Sequence, residues 1–239
     1  MSSKHAWKVD LIPWDQKSAG QVNRLYEQRL ACGWDAEEVP SFVESVKQGE
    51  KVFYWIVLAD EVPERGAYLT QHIAKYSKEA SPLTDTTDEV RFVPRVPSKK
   101  QFTPIGHIAL AIHPSDEDVQ LGLPRSGVAW VHQLYVSYVL QGGGFGAGAM
   151  GRAEQLAAME PLNASIIALD TVAKEIHAQK EFLKLIYEGR GLPQPTKSNE
   201  EWYISLGYEI FARVKDGREY KYPGGTLPLE IIYLKKTIK

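Results

Sequence analysis

The chain has one cysteine, Cys32, among its 239 residues, which excludes an internal disulfide and any cysteine pair for a metal. Nothing beside Cys32 would activate its thiol, so it reads as a small buried residue. Long apolar runs are lacking too. None approaches the roughly 20 residues of a membrane span, and the opening MSSKHAWKVDLIPWDQ contains no apolar stretch of signal-peptide length. Charge of one sign is also scarce: 28 Lys and Arg against 30 Asp and Glu leave a formal net charge of −2. Such a chain has no long-range attraction for nucleic acid or an anionic membrane, although a local basic patch can still hold an anionic cofactor. These absences lead us to expect an intracellular protein, cytoplasmic by default with the nucleus possible, and no metal, nucleic-acid or membrane partner. With 44% hydrophobic residues, the chain can bury one sizeable core, and a single domain over 1–239 is expected.

What the sequence does have is concentrated between Val128 and Glu160, VAWVHQLYVSYVLQGGGFGAGAMGRAEQLAAME. The β-branched and aromatic residues from Val128 to Leu140 predict a strand. The glycines of 142–146 predict a turn, and AGAMGRAEQLAAME predicts a helix. Glycines at a strand-to-helix junction let a ligand approach the backbone, and the first N–H groups of the helix, lacking intrahelical partners, point outward. A phosphate or pyrophosphate suits such a place. A tight loop with no ligand uses glycine as well, so the string by itself decides nothing. A P-loop is excluded, because no lysine follows these glycines before Lys174. The dinucleotide pattern G-x-G-x-x-A is present from Gly144 to Ala149, with Asp170 ending the next strand-like run.

A third pattern accounts for more residues. Leu134-Tyr135-Val136, followed by Gln141, Gly144 and Gly146, resembles the L-x-V strand and R/Q-x-x-G-x-G/A turn of the GNAT superfamily of acyl-CoA-dependent N-acetyltransferases. Trp202 to Glu209 (WYISLGYE) is similar to that family's FYxxxGF segment, Glu230 to Lys236 to its closing strand, and Ile105 to Leu110 to the strand before the central one. The resemblance spans most of the chain in the family's order. It implies an α/β (α+β) fold, with a mixed, mainly antiparallel sheet, centrally splayed and flanked by helices.

Taken in order, Ala6–Pro13 predicts a first strand and Ser18 an N-cap for a helix to about Cys32, with Val22, Leu25, Tyr26, Arg29 and Leu30 on its inner face and Gly33 ending it. Glu38–Lys47 predicts a second short helix with Val39, Phe42, Val43 and Val46 on one face. In GNAT proteins these two helices lie beside the acceptor pocket, so Tyr26, Trp34 and Phe42 are candidates for substrate choice, with core packing the alternative for each. KVFYWIVLA at 51–59 predicts a strand buried on both faces. Two stretches, near 60–103 and 172–199, are insertions relative to short family members. The first, polar and proline-punctuated, is expected to be a lid whose loss abolishes acceptor binding and spares acetyl-CoA binding. The second carries a helical pattern from Val172 to Tyr187. Leu206–Arg213 and Leu227–Ile238 predict a closing hairpin.

Acetyl transfer to an amine requires removal of a proton from an ammonium with a pKa near 10.4, then stabilisation of an oxyanion and a leaving thiolate. The resemblance assigns backbone groups of Leu134 and Val136 to the pantetheine arm and thioester. It assigns Gln141, Gly142, Gly143, Gly144, Phe145, Gly146 and Ala147 to the pyrophosphate. Gln141 stands where arginine is commoner, and Tyr138 replaces the usual proline. His132, two residues before Leu134, is the candidate general base, with a water chain as the alternative. His107 and His113 are weaker candidates, and of these two His107 is the one expected to face the same region. Tyr203, four positions before Gly207, is the candidate acid for the thiolate. The expected function is acetyl-CoA-dependent N-acetylation of a small primary amine, arylalkylamines slightly ahead of polyamines. The alternatives are a peptide or protein acceptor, a non-catalytic acyl-CoA sensor or partner subunit, and, further off, an NAD-binding protein.

Overall fold

The computed structural model describes residues 7–192, 194–222 and 224–239; Ala6, the expected start of the first strand, lies outside them. The residues group into two compact units, one built from the chain up to His113 with Ala129–Ala164, the other from Pro114–Val128 with Ser165–Lys239.

In the first unit, β1 (Val9–Pro13), β2 (Lys51–Leu58), β3 (Gly106–Ala111) and β4 (Val128–Val136) pair successively, each antiparallel to the next. The apolar run of β2 is buried from Val52 to Leu58, as its composition requires. On one face, Trp14, Phe53, Trp55 and Ala109 pack with Leu25, Val39 and Phe42 from α1 (Ala19–Cys32) and α2 (Val39–Lys47). Gly106 permits β3 and β4 to approach closely, since a Cβ there would meet the Tyr135 carbonyl oxygen at 2.0 Å.

Both ends of α1 follow the expected chemistry: the Ser18 side chain accepts from the Gln21 N–H, and Gly33 closes the helix at φ 86°. Its inner face follows only in part: Val22, Leu25 and Arg29 turn inward as expected. Tyr26 and Leu30 are 41% and 49% exposed, and Gln21, Arg24, Gln28 and Arg29 are buried beside Leu25. The reason is the 60–103 segment, which the sequence left without regular structure. It contains α3 (Arg65–Lys75), a short helical turn at Ser77–Ala80 and two small two-stranded ladders, Leu83–Thr84 with Gln101–Phe102 and Glu89–Val90 with Val93–Pro94. Its polar residues meet those of α1. The Arg24 guanidinium pairs with buried Glu79 and donates to the carbonyls of Lys78 and Ser81. Gln28 donates to Glu79 and to the Pro104 carbonyl, while Gln21 accepts from the Trp55 indole at 2.8 Å and donates to the Thr84 carbonyl. Within the segment, Asp85 takes a two-pronged bond from Arg95, which with the Ser98 hydroxyl and N–H holds its carboxyl down at about 2 against the opposing effect of burial.

In the second unit, β5 (Ile166–Val172) pairs with β7 (Gly225–Thr237), and β7 with β6 (Glu209–Tyr222), all antiparallel, with β6 on the edge. The closing hairpin is longer than expected, and β6 is exposed from Arg213 to Glu219. α5 (Asn199–Ser205) opens with a capping box between Ser198 and Glu201. Between β5 and α5 lie short helices at Lys174–His177 and Lys180–Ile186, matching the helical pattern expected from Val172 to Tyr187.

Removing one member of the Arg24–Glu79 pair strands a buried charge, which typically costs about 3–5 kcal/mol. Glu79→Ala is expected to lose stability on that scale in urea denaturation, and Arg24→Met with Glu79→Leu to recover most of it.

Candidate active site

The centre of the first unit is an irregularity in β4. Tyr135 pairs with His107 and His132 with Ala109, so Gln133 and Leu134 together oppose Ile108 alone. This is a β-bulge, and Gln133 takes the left-handed conformation at φ 46° that accommodates it. His132 and Tyr135, three residues apart, consequently share a face, whereas an unbroken strand would place them on opposite faces. Cross-strand pairing of Phe53 with Ala109 and of Trp55 with His107 puts that face on the α1–α2 side.

Beyond Val136 the chain departs from expectation. The strand ends there instead of running to Leu140, because the Leu140 N–H bonds back to the Ser137 carbonyl at 2.9 Å and Tyr138–Leu140 fold into a helical turn, with Leu140 buried and the Tyr138 hydroxyl donating to the Cys32 carbonyl. Gln141–Gly144 follow, and α4 (Phe145–Ala158) begins. Gly144, at φ 82°, is the N-cap residue and supplies no side-chain cap. The first N–H of α4 with an intrahelical partner is that of Gly148, on Gly144 O at 3.0 Å. The N–H groups of Phe145, Gly146 and Ala147 thus face outward from the helix start, where an anion can be held. Phe145 as a whole is 1% exposed, and its ring meets the Tyr68 ring edge-on at 5.2 Å. Gln141 donates its side-chain amide to the Val136 carbonyl at 3.3 Å.

Two residues at this turn escaped the sequence. Lys8 donates to the Gly143 carbonyl at 2.9 Å and lies 5.8 Å from the Phe145 ring centre, bringing a cation to the turn where Gln141 brings none. No spacing signal links positions so far apart; α4 lies close over the chain start because its small residues permit it, and a Cβ at Gly151 would meet the Trp7 ring at 2.3 Å. His72 of α3 is the other. Its Nε2 can only donate to the Pro104 carbonyl, at 3.1 Å, so Nδ1 accepts from the Ser137 hydroxyl at 2.9 Å. Burial holds this histidine neutral, with its pKa pulled down to about 4. The inserted segment therefore braces the turn through His72 on Ser137 and Tyr68 on Phe145. The 60–103 segment thus touches the glycine turn as well as α1.

On the α1–α2 face the three histidine candidates separate. His107 is 1% exposed; its Nδ1–H donates to Gln28 Oε1 at 2.9 Å, Arg29 approaches its Nε2 at 3.5 Å, and burial with the Arg29 charge drives its pKa well down. It is committed to the interior. His113, ranked below it by the sequence, is instead the partner of His132, with their Nε2 atoms 2.9 Å apart, and it stacks on Trp130 at 4.4 Å and 9°. Lys51 reaches the bulge itself, donating to Gln133 Oε1 at 3.2 Å and lying 4.7 and 5.7 Å from the ring centres of Phe42 and Phe53. Desolvation lowers its pKa to about 8, with Arg29 acting in the same direction and Asp35 and Glu50 against it. Among the candidates for substrate choice, Phe42 is buried on Phe53 at 5.2 Å and Tyr26 faces outward. Cys32 is buried, as expected of a packing residue.

Tyr203 belongs to the second unit. It is 8% exposed on α5, packed against Trp202 and Tyr208. Burial, with the Asp170 carboxylate adding to it, pushes its hydroxyl above the ordinary tyrosine pKa and keeps it protonated. Among the described residues no group of three or more His, Cys, Asp or Glu could hold a metal ion, and no helix is long and apolar enough to cross a membrane.

The depressed pKa of Lys51 makes a testable prediction. Its folded-state pKa lies below the unfolded value of 10.5, so the cost of burying its charge is present in full below pH 8 and disappears as pH rises to 10.5. Lys51→Met should therefore be more stable than wild type at pH 7, on the order of 2 kcal/mol after solvent screening. The advantage should shrink steadily above pH 8 in denaturation curves recorded side by side.

No protein-family model matches the sequence, and none of the curated proteins matches it. Solved structures do. NAA60 of Arabidopsis thaliana in complex with acetyl-CoA superimposes with a TM-score of 0.54 at 11% identity, over 96% of this chain and 98% of that one. A chimera of the spermidine N-acetyltransferase SpeG from Vibrio cholerae with hSSAT gives 0.52 at 10% identity, over 97% and 96%. The aminoglycoside 6'-N-acetyltransferase from Enterococcus faecium gives 0.51 at 13% identity, over 96% and 97%.

Proposed function

We propose that this chain, which has the fold of the GNAT acetyltransferases, is one N-acetyltransferase domain that transfers the acetyl group of acetyl-CoA to a small primary amine by direct attack on the thioester. The observation that carries the proposal is the continuous sequence of bulge, strand end and glycine turn from His132 to Ala147. It offers backbone groups at Leu134 and Val136, outward N–H groups at the start of α4, and a cation at Lys8. In this mechanism the turn from Gln141 to Ala147 holds the pyrophosphate. Each N–H bond to a charged oxygen is worth about 1.5–3 kcal/mol. The Gln141 amide, now on the Val136 carbonyl, turns away to admit the pantetheine arm. His132 takes the proton of the acceptor ammonium, and neutral Tyr203 returns one to the departing thiolate.

The acceptor preference follows from the α1–α2 face. Phe42, Phe53 and Trp130 are buried in the core beneath that face and present no open aromatic surface, while Arg29 and Lys51 are cations, the first of them paired with Asp35. A second positive charge on the acceptor is disfavoured there, so an arylalkylamine fits better than a polyamine. Against a non-catalytic sensor stands the retention of a paired histidine and a protonated tyrosine, neither of which cofactor binding requires.

Calorimetry with acetyl-CoA, with NAD as control, followed by thiol release with 2-phenylethylamine, tryptamine, spermidine and a peptide with a free N-terminus, tests the proposal. We expect acetyl-CoA binding, no NAD binding, and thiol release with the arylalkylamines; binding without turnover would favour the sensor. Gly144→Val, which forces a branched residue to φ 82°, should weaken acetyl-CoA binding at least about tenfold. Tyr203→Phe should lower kcat while leaving that affinity intact, provided chemistry limits the rate.

A further inference from the structure

The bond between His132 and His113 has a directional consequence. An uncharged imidazole has one N–H and one lone pair. When two such rings meet Nε2 to Nε2, at 2.9 Å here, one must donate and the other accept. If His132 accepted, its remaining nitrogen, Nδ1, would carry the proton and could take none from a substrate. If His132 donates, its Nδ1 holds the lone pair that a base needs. The choice of donor therefore decides whether His132 can act as a base at all.

We propose that His113 is a positioning residue: its Nε2 accepts the Nε2–H of His132, holding His132 in the tautomer whose Nδ1 carries the lone pair that receives the proton of the acceptor amine. This rests on the assignment of His132 as base in the mechanism above. His113 is suited to the task by its own support. It follows the end of β3, its ring lies flat on Trp130 at 4.4 Å and 9°, and Trp130 and His132 alternate along β4 onto one face. The stack fixes the plane of the His113 ring and so the direction of its lone pair. As the substrate R–NH3+ gives its proton to Nδ1, His132 becomes an imidazolium whose Nε2–H remains bonded to His113. The freed amine forms its C–N bond at the thioester carbonyl as the C–S bond breaks; Tyr203 protonates the thiolate, which leaves as CoA–SH, and the second N–H proton of the adduct restores the Tyr203 hydroxyl and leaves the neutral amide. The proton on His132 then leaves to solvent from Nδ1, restoring the starting tautomer. No second ring needs to change its protonation.

The role is separable from packing. His113→Phe keeps an aromatic ring on Trp130 and removes the acceptor, whereas His113→Gln keeps an acceptor oxygen and removes the ring. The primary measurement is two-bond 1H–15N correlation on the histidine-labelled full-length protein, with signals assigned through His132→Asn and the two His113 variants. We expect His132 in the wild type to be protonated on Nε2 and unprotonated on Nδ1, His113→Phe to lose that preference, and His113→Gln to keep it. Kinetically, His113→Phe should lower kcat about 10- to 100-fold with whichever amine of the panel releases thiol. The KM for acetyl-CoA should not change, and His113→Gln should recover most of the loss. A wild-type His132 carrying its proton on Nδ1 overturns the proposal, whether or not any variant folds. So does a His113→Phe protein with unchanged tautomer and kcat. A chain that fails to bind acetyl-CoA yet shows the expected tautomer would instead sink the acetyltransferase assignment.

Discussion

One additional residue in β4 governs the arrangement of the first unit. With Gln133 and Leu134 set against Ile108, the strand changes phase in its middle. Residues before the bulge and residues after it that would have faced apart now face together. His132 and Tyr135 both come to the side covered by α1 and α2, and Gln133 extends its amide to Lys51 at the start of β2. A regular strand with the same side chains would scatter these groups over both faces. The bulge also breaks the β3 ladder locally, so backbone groups beside Leu134 are less committed to it than those of their neighbours.

Around that phase change the protein places many polar groups in its interior. Arg24, Glu79, Gln21, Gln28, Arg29 and His107 are all buried and joined by hydrogen bonds across α1, β3 and the 60–103 segment. Such a network adds little net stability over an apolar core, because each charge must be stripped of water. What it supplies is discrimination: every donor must meet its acceptor, so the inserted segment can dock on α1 in one register. A greasy interface would tolerate sliding, and sliding would move His72 away from Ser137 and Tyr68 away from Phe145.

This division explains what the sequence disclosed. Local chemistry was legible: the Ser18 cap, the Gly33 stop, the buried run of β2 and the glycine turn leading into α4 each depend on neighbours along the chain. Long-range pairing was not. On α1, the sequence pattern puts Tyr26 and Leu30 inward and misses Gln21, Arg24 and Gln28, because those polar side chains read as solvent-facing until Glu79 and Thr84 are known to lie opposite. Tyr138–Leu140 read as strand because β-branched and aromatic side chains suit burial in either conformation, and only the bond from the Leu140 N–H back to the Ser137 carbonyl shows the turn. The pairing of His113 with His132 required the register of β3 on β4, which a bulge shifts by one. Lys8 had no sequence signal at all.

The long hairpin of the second unit has a bearing on solubility. β6 is an edge strand of fourteen residues, and an edge of that length offers unpaired backbone groups to any passing strand. Its exposed part reads Arg213-Val214-Lys215-Asp216-Gly217-Arg218-Glu219, nearly all charged or without a side chain, and Asp216 adopts φ 51° beside a break in the ladder with β7. A neighbouring molecule seeking to extend the sheet would have to bury ions of both signs against a kinked template. Charges of both signs along β6 thus blunt an edge that its length would otherwise leave open.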